Sequence, residues 1–133
     1  MKVILDTNVV VSALLSPSGV PSRILALALD GIITVVYDNT ILAEYVDVLN
    51  RKKLKIDKES IDVVIDFIGK EGEFRIAVPQ TARFDDEDDK IFYDLYKSGG
   101  VDFLITGNIR HFPREKGIVL PGKFLEAISG TCL

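Results

Sequence analysis

Acidic side chains recur just beyond predicted strands in three distant parts of the chain. Asp6 directly follows one apolar run, Glu44 comes soon after a second, and the five acids at 85–89 follow a third. In a parallel sheet, residues beyond the carboxyl ends of the strands meet at one edge. The sequence therefore predicts one carboxylate site assembled from these three segments.

Such a cluster of carboxylates needs a cation, protonation or wide separation. Two carboxylates about 4 Å apart repel by roughly 4 kcal/mol at an effective dielectric near 20. Oxygen ligands suit the hard cations Mg²⁺ and Mn²⁺, whereas zinc sites normally draw on sulfur or imidazole. Because the chain offers only His111 and Cys132 of those types, the sequence predicts Mg²⁺ or Mn²⁺ and disfavours zinc.

The order of predicted elements favours an α/β protein. Strand-like apolar runs occur at residues 2–5, 32–37, 74–78, 102–106 and 118–120. Helical patterns occur at about 22–29, 41–50, 57–70 and 86–98, and residues 9–15 fit either type. Asn39 or Thr40 is expected to cap the second of these helices. This alternation predicts a three-layer α/β/α sandwich with a mainly parallel central sheet of four to five strands.

Size and charge limit the functional classes. With 133 residues, 47% of them hydrophobic, we expect a single domain over residues 1–133. No apolar run approaches the roughly 18 residues of a membrane span, and no signal peptide is recognisable, so we expect a cytoplasmic protein without membrane association. The net charge of −4 argues against binding nucleic acid by bulk electrostatics. It does not exclude a nuclease, because bound cations would neutralise several acids.

Two of the acids have sequence contexts that bear on their roles. Asp6 could cap the helix that follows it, or it could face a site at the sheet edge. Glu44 lies between Ile41 and Val48 at helical spacing, which places an acid within an apolar stripe. Burying an unpaired carboxylate is unfavourable, so this position requires a cation, a basic partner, an open cleft or an escape to solvent at the edge of the stripe.

The acidic run offers several candidates for a third ligand. Asp88 lies one helical turn from Ile91 and Phe92, which should pack on the sheet, so Asp88 can point towards the site. Asp85 or Asp89 could take the same role, and Asp85 could instead cap the helix.

Four parts of the sequence together resemble the PIN-domain nucleases: residues 5–8, Glu44, residues 85–90 and residues 104–112. The resemblance is closest to the branch of toxin components of prokaryotic toxin–antitoxin pairs. It implies a PIN-like α/β/α sandwich, usually a homodimer, that cleaves single-stranded RNA with Mg²⁺ or Mn²⁺. It also implies a cognate antitoxin protein as a partner.

The resemblance further assigns the candidate site residues. It makes Asp6, Glu44 and Asp88 the catalytic metal ligands, with Asp89 or Asp85 as alternatives for the third. Where the family commonly has a fourth acid, this chain has Asn108, which leaves the number of cations open.

Neighbouring polar and basic side chains complete the prediction. The side chains expected to support the ligands are those of Thr7, Asn8, Thr106 and Asn108, with Thr7 and Asn8 orienting Asp6 or a water. Arg110 and Arg114 are expected to lie nearest the cleft and contact RNA. Residues 51–55 form the densest basic cluster and could also guide RNA, although a solvated helix end is the favoured interpretation. His111 is expected to have a structural hydrogen-bonding role.

These assignments predict hydrolysis of a phosphodiester by metal-activated water, which leaves a 5′-phosphate and a 3′-hydroxyl. One alternative is a catalytically weakened PIN domain that binds RNA or protein. A receiver-like signalling domain is another, although it should show an acidic pair after the first strand, where this chain has only Asp6. A haloacid-dehalogenase-like phosphatase would need an aspartate where this chain has Asn8.

Overall fold

The described chain is built on a five-stranded sheet. The computed structural model of the protein describes residues 1–131, so Cys132 lies outside the described residues. The strands are β1 (Lys2–Leu5), β2 (Thr34–Tyr37), β3 (Glu73–Phe74), β4 (Phe103–Ile105) and β5 (Ile118–Val119). Their order is β3-β2-β1-β4-β5, and every neighbouring pair is parallel. The predicted parallel sheet is confirmed.

Within residues 1–131, six α-helices connect or follow these strands. They are α1 (Thr7–Leu15), α2 (Val20–Leu29), α3 (Asn39–Leu49), α4 (Lys58–Glu71), α5 (Glu87–Lys97) and α6 (Pro121–Thr131). The ambiguous segment at 9–15 is helical, and its buried residues Val9, Val10 and Ala13 lie on one face of α1. The sequence did not predict α6, although Pro121 at its first position favours a helix start.

Both faces of the sheet are covered. Neighbouring residues on a strand point to opposite faces, yet the consecutive residues Val3 and Ile4 of β1 are both fully buried. The same holds for Leu104 and Ile105 of β4. The sheet is therefore the middle layer of the predicted α/β/α sandwich.

The connections of the sheet diverge between β1 and β4. β1 leads through α1 and α2 to β2 on one side, whereas β4 lies on the other side and is followed by β5. Such a point opens a crevice beyond the carboxyl ends of the strands. Because Leu5 is paired with Ile105, the next residues, Asp6 and Thr106, meet in this crevice. The strand order also differs from the 2-1-3-4-5 order of receiver domains, so the receiver-like interpretation is wrong.

Tyr45 fixes how α3 lies on the sheet. Its side chain is fully buried, and its hydroxyl donates a hydrogen bond to the Leu5 carbonyl at the end of β1. Its ring packs against Phe92 of α5, with the ring centroids 6.3 Å apart. One aromatic side chain therefore joins β1, α3 and α5, and it places its neighbour Glu44 near the crevice.

Two helix caps differ by a residue or two from the predictions. α3 is capped by the side chain of Asp38 rather than by Asn39 or Thr40. α5 is capped by Asp86 rather than by Asp85. Several consecutive residues that can cap a helix precede each of these helices, and the backbone geometry determines which of them is the cap.

β3 is much shorter than the apolar run at 74–78 predicted. Residues 75–86 form no helix or strand, although Ile76 and Val78 have the alternation of a strand and are 79% and 61% exposed. The N–H of Val78 donates to the Ser98 hydroxyl at 3.0 Å instead of to another strand. The acidic run therefore does not directly follow a strand, and α5 carries its last three acids.

Within residues 1–131, no single helix is both long and apolar enough to span a membrane. The pair α1 and α2 would reach that length and hydropathy only together, and the two helices meet at 99°.

Replacing Tyr45 by Phe should lower the free energy of unfolding by about 1–3 kcal/mol, because the buried carbonyl of Leu5 loses a donor. Urea unfolding followed by circular dichroism measures this change. The control is Tyr37→Phe, which removes a hydroxyl that donates at 3.0 Å to the carbonyl of the exposed Gly69, where water can take its place. Equal losses in the two variants would contradict the anchoring role of Tyr45.

Candidate active site

The crevice beyond β1 opens into a cleft of about 380 Å³. The cleft contains most of the predicted site residues in its lining: Asp6, Thr7, Asn8, Glu44, Asp88, Asp89 and Asn108. Its apolar lining consists of Val11, Val48, Leu54 and Phe92. Acids from β1, α3 and α5 are therefore brought together, although they are far apart in the sequence.

Asp6 is a buried acid of this cleft, with 4% of its surface exposed. Its N–H extends the ladder between β1 and β4 by donating to the Ile105 carbonyl at 2.9 Å. Its carboxylate makes no capping bond to α1. Instead, Oδ2 accepts from the Thr106 hydroxyl at 2.7 Å and from the Asn8 amide at 3.3 Å. Asp6 therefore occupies the N-cap position of α1, but its carboxylate is held by residues of the cleft.

The polar residues around Asp6 form a connected network. The Thr106 hydroxyl, which donates to Asp6, accepts from the Asn108 N–H at 2.9 Å. The side-chain oxygen of Asn8 accepts from the Gly107 N–H at 3.0 Å. A Cβ at Gly107 would lie 3.3 Å from that oxygen, so glycine eases this close approach. Asn8 therefore links the ends of β1 and β4 and also orients the Asp6 carboxylate, as predicted.

Glu44 faces the cleft from α3. Its Oε2 accepts a hydrogen bond from the Thr7 hydroxyl at 3.1 Å, so the side chain of Thr7 orients Glu44, whereas its backbone N–H acts on Asp6 and lowers the pKa of Asp6. Burial raises the pKa of Glu44, the bond from Thr7 lowers it, and the charge of Asp88 raises it again. An acid within an apolar stripe is accommodated here by an open cleft and a hydroxyl donor.

Asp88 and Asp89 reach the cleft from the first turn of α5. Among the neighbouring acids, Asp89 raises the pKa of Asp6 most, whereas Asp88 raises the pKa of Glu44 most. Asp89 also pairs with His111, whose Nδ1 lies 3.1 Å from its Oδ2. Glu44 also raises the pKa of Asp6, and Asp88 raises the pKa of Asp89, so the four acids form one electrostatic cluster.

The other candidates in this region have different positions. Asp85 is exposed and does not line the cleft, although it lines an adjacent cavity. Asp86, for which no individual role was predicted, lines the cleft and caps α5. The bond between His111 and Asp89 agrees with the hydrogen-bonding role expected of His111.

The electrostatics of the cleft disfavour its ionised acids. Burial raises the pKa of Asp6 from 3.8 to about 6, the Thr106 hydroxyl opposes this rise, and the charges of Asp89 and Glu44 add to it. Burial also raises the pKa of Asp89, which the contact with His111 lowers. A cation placed among these carboxylates would favour their charged forms.

The donor chemistry fits a hard divalent cation, although the side chains do not form a closed cage. Within residues 1–131, no group of three or more Asp, Glu, His or Cys side chains is arranged to hold a metal ion. Mg²⁺ usually keeps several waters and is bound through one or two carboxylates together with substrate phosphates. Asp6 and Asp89 line the same cleft and can supply that number of carboxylates.

The basic residues of the cleft differ from those that the sequence favoured. Arg51 and Lys53 line it, whereas Arg110 lines the adjoining cavity and Arg114 lines a separate depression. Sequence reasoning favoured a solvated helix end for the run that contains Arg51 and Lys53. The apolar Leu54 within that run, which also lines the cleft, was the signal that the segment turns back onto the protein.

Comparison with known proteins yields one family. A family model described as a PIN domain matches residues 2–110, a span that contains every residue lining the cleft. None of the curated proteins searched matches the chain.

Replacing Asp6 by Asn should stabilise the metal-free protein by up to about 3 kcal/mol near neutral pH, and the gain should vanish near pH 4. The pKa of Asp6 rises from 3.8 to about 6 on folding, so the wild-type fold loses stability as the pH rises through this interval, by about 1.4 kcal/mol per pKa unit. Chemical unfolding of both proteins in EDTA across this pH range measures the difference.

The control for this prediction is Asp85→Asn, which removes an exposed acid outside the cleft. Its effect on the free energy of unfolding should be small across the range. A stability difference between Asp6→Asn and wild type that does not change with pH would contradict the assigned cause.

Proposed function

Because the chain belongs to the PIN domain family, whose members are generally nucleases, we propose that it is a metal-dependent endoribonuclease acting on single-stranded RNA. The observation that carries the proposal is the buried carboxylate of Asp6, which faces Asp89 and Glu44 at the point where the sheet connections diverge. A site of this kind favours a bound cation over three free carboxylates.

Asp6, Glu44, Asp88 and Asp89 would hold Mg²⁺ or Mn²⁺. The cation, when bound, supplies activation of water and compensation of charge on the phosphoryl oxygens. Asp6 and Asp89 form the more buried pair, so they are the stronger candidates for direct ligands. Glu44 and Asp88 form the more open pair, where a substrate phosphate has access.

The remaining side chains of the cleft position these acids. Thr106 and Asn8 donate to Asp6, so its carboxylate is held in one orientation before substrate arrives. Thr7 does the same for Glu44, and His111 for Asp89. No side chain needs to act as a nucleophile. Water attacks the phosphorus and the 3′-oxygen leaves, so the products carry a 5′-phosphate and a 3′-hydroxyl.

A second candidate is a PIN domain that binds RNA or protein without cleaving. The observation in its favour is Asn108, an amide in the cleft lining where the family commonly has an acid. A neutral amide oxygen binds a cation less strongly than a carboxylate does. The cleavage experiment below separates this candidate from the nuclease.

We also propose a biological setting that follows the resemblance of the motifs. The chain would be the toxin of a toxin–antitoxin pair, would work in the cytoplasm as a homodimer, and would be inhibited by a cognate antitoxin. Light scattering of the purified protein tests the homodimer. Growth arrest on expression, relieved by Asp6→Asn, tests the toxin role.

Manganese should raise the melting temperature of the wild-type protein and have little effect on Asp6→Asn. A ligand that binds only the folded state stabilises it by about 2.7 kcal/mol at one hundred times its dissociation constant. Thermal unfolding with increasing Mn²⁺ measures the shift, and Asp85→Asn should retain it. Equal shifts in Asp6→Asn and wild type would place the cation elsewhere.

Wild-type protein should cleave 5′-labelled single-stranded RNA in Mg²⁺ or Mn²⁺ but not in EDTA. Asp6→Asn and Asp89→Asn should each lower kcat/KM by at least about 100-fold, because outer hydrogen-bond partners of metal ligands already contribute up to that amount. Gel analysis of the products gives the rates and the end groups.

Asp66→Asn is the matched control for this assay, since it removes an exposed acid of α4 that lines neither the cleft nor the cavity next to it. It should cleave as the wild type does. A 2′,3′-cyclic phosphate product, or cleavage that persists in EDTA, would refute the mechanism. Binding of RNA without cleavage in any metal would favour the second candidate.

A further inference from the structure

A basic turn borders the cleft at the end of α3. The chain leaves α3 and forms a 3-10 turn at Lys52–Leu54, after which Lys55 adopts the left-handed conformation with φ of 54°. This turn brings Arg51 and Lys53 into the lining of the cleft. The positive charge of Arg51 acts on Glu44 and opposes the rise that burial causes in the pKa of Glu44. The basic turn therefore lies next to the Glu44 end of the acidic cleft.

The positively charged side chains of Arg51 and Lys53 are available to bind an anion. Arg51 makes an ion pair with Asp47 at 3.1 Å, but both side chains are at least half exposed, and such surface pairs contribute little. Within residues 1–131, Lys53 makes no ion pair. A phosphate at this place would meet two positive charges with little competition.

A second cavity, of about 370 Å³, continues the cleft at its other end. It shares Asp86 and Asp89 with the cleft, so the two spaces adjoin at the start of α5. Its other polar and aromatic lining includes Arg83, Phe84, Arg110 and His111. The carboxylates therefore lie between two groups of basic side chains.

The second cavity has the features of a nucleotide site. Arg83 and Arg110 are exposed, and within residues 1–131 neither makes an ion pair. Phe84 is held by an edge-on contact with Phe112, with ring centroids 5.8 Å apart, so it forms a fixed aromatic wall. The acid Asp86 offers an acceptor for the amino groups of a base.

We propose that one nucleic-acid strand crosses the carboxylate cleft and is held on both sides of it. Arg51 and Lys53 bind a phosphate on one side, and the second cavity binds a nucleotide on the other side through Arg83 and Arg110. This path deepens the proposed function and rests on it for the chemistry between the two ends. Proteins bind single strands in this way, with a basic groove that follows the backbone and aromatic surfaces that meet the bases.

The depth of the acidic site favours a single strand over a duplex. Asp6 has only 4% of its surface exposed, so a phosphate must enter the crevice to approach it. An unpaired strand can bend and splay its bases apart to do so. The basic residues on both sides of the carboxylates give a polyanion local positive charge, although the chain has a net charge of −4.

The test measures binding rather than cleavage. A fluorescent single strand of about 12 nucleotides, made as RNA and as DNA, is titrated with protein in calcium instead of magnesium, at a series of salt concentrations. Two double variants remove the cations of each side: Arg51→Gln with Lys53→Gln, and Arg83→Gln with Arg110→Gln. The control, Arg23→Gln with Lys70→Gln, removes two exposed charges that lie outside the basic turn and line neither cavity.

Each test variant should reduce the slope of log affinity against log salt by about 0.7, since each side binds one phosphate and a single strand loses about 0.7 per phosphate contact. The control should keep the wild-type slope. An unchanged slope in either test variant, an equal loss in the control, or equally tight binding of a duplex would overturn the proposed path. If the test variants have smaller slopes than the wild type with both RNA and DNA, the result supports contacts to phosphates and base faces. If their slopes are smaller with RNA alone, the result supports added contacts to the 2′-hydroxyl.

Two further readings separate this inference from the proposed function. The manganese-induced rise in melting temperature should be the same in both test variants as in wild type, which shows that the fold and the cation site are intact. Reduced slopes without any cleavage by the wild type would support the strand path and refute the nuclease. Cleavage by the wild type with unchanged slopes would refute the path and support the nuclease.

Discussion

The hydrogen bond from the Thr106 hydroxyl to the Asp6 carboxylate is the contact on which the site depends. It joins the residues that follow β1 and β4 at 2.7 Å, where the connections of the sheet diverge. Both residues are buried, so the bond is protected from water and holds a charge that the interior disfavours. The other acids of the cleft are positioned around this hydrogen-bonded pair.

The fold buries the carboxylate of Asp6 at this point, which is unfavourable, and several elements hold the carboxylate in place. Burial and neighbouring charges raise the pKa of Asp6, while hydrogen bonds from Thr106 and Asn8 favour its ionised form. Tyr45 meanwhile ties α3 to the Leu5 carbonyl and to Phe92. The carboxylates are thus held near one another by packing and hydrogen bonds, although their mutual repulsion opposes it.

Much of this arrangement could be predicted from the sequence because it follows from patterns with a clear period. The runs that became β1, β2 and β4 are short, apolar and followed by polar residues, and parallel topology brings their ends together. Asp6, Glu44 and the acids of α5 were therefore expected in one place. The pairing of Asp6 with Asp89 was not, because a difference of one residue on a helix depends on its exact rotation.

Other parts depended on contacts that no local pattern reveals. The alternation at Ile76 and Val78 indicated a strand, but the chain leaves the sheet after Phe74 and bonds to α5. Arg110 follows Thr106 closely in sequence, yet the 3-10 turn at Ile109–His111 carries it out of the cleft lining. Arg51 and Lys53 enter that lining because of a turn after α3. The direction of a turn is set by tertiary packing, and here sequence proximity was a poor guide.

The orientation of the Asn8 amide has a consequence for how this cleft could change in evolution. Its oxygen faces the Gly107 N–H and its nitrogen faces Asp6, so the position requires an acceptor on one side and a donor on the other. An ionised aspartate has no donor, and it would add a negative charge beside the buried acid. The chain is thereby kept from the chemistry of enzymes that carry two aspartates at this spacing, because replacing Asn8 by Asp would keep the acceptor for the Gly107 N–H but would remove the donor to Asp6.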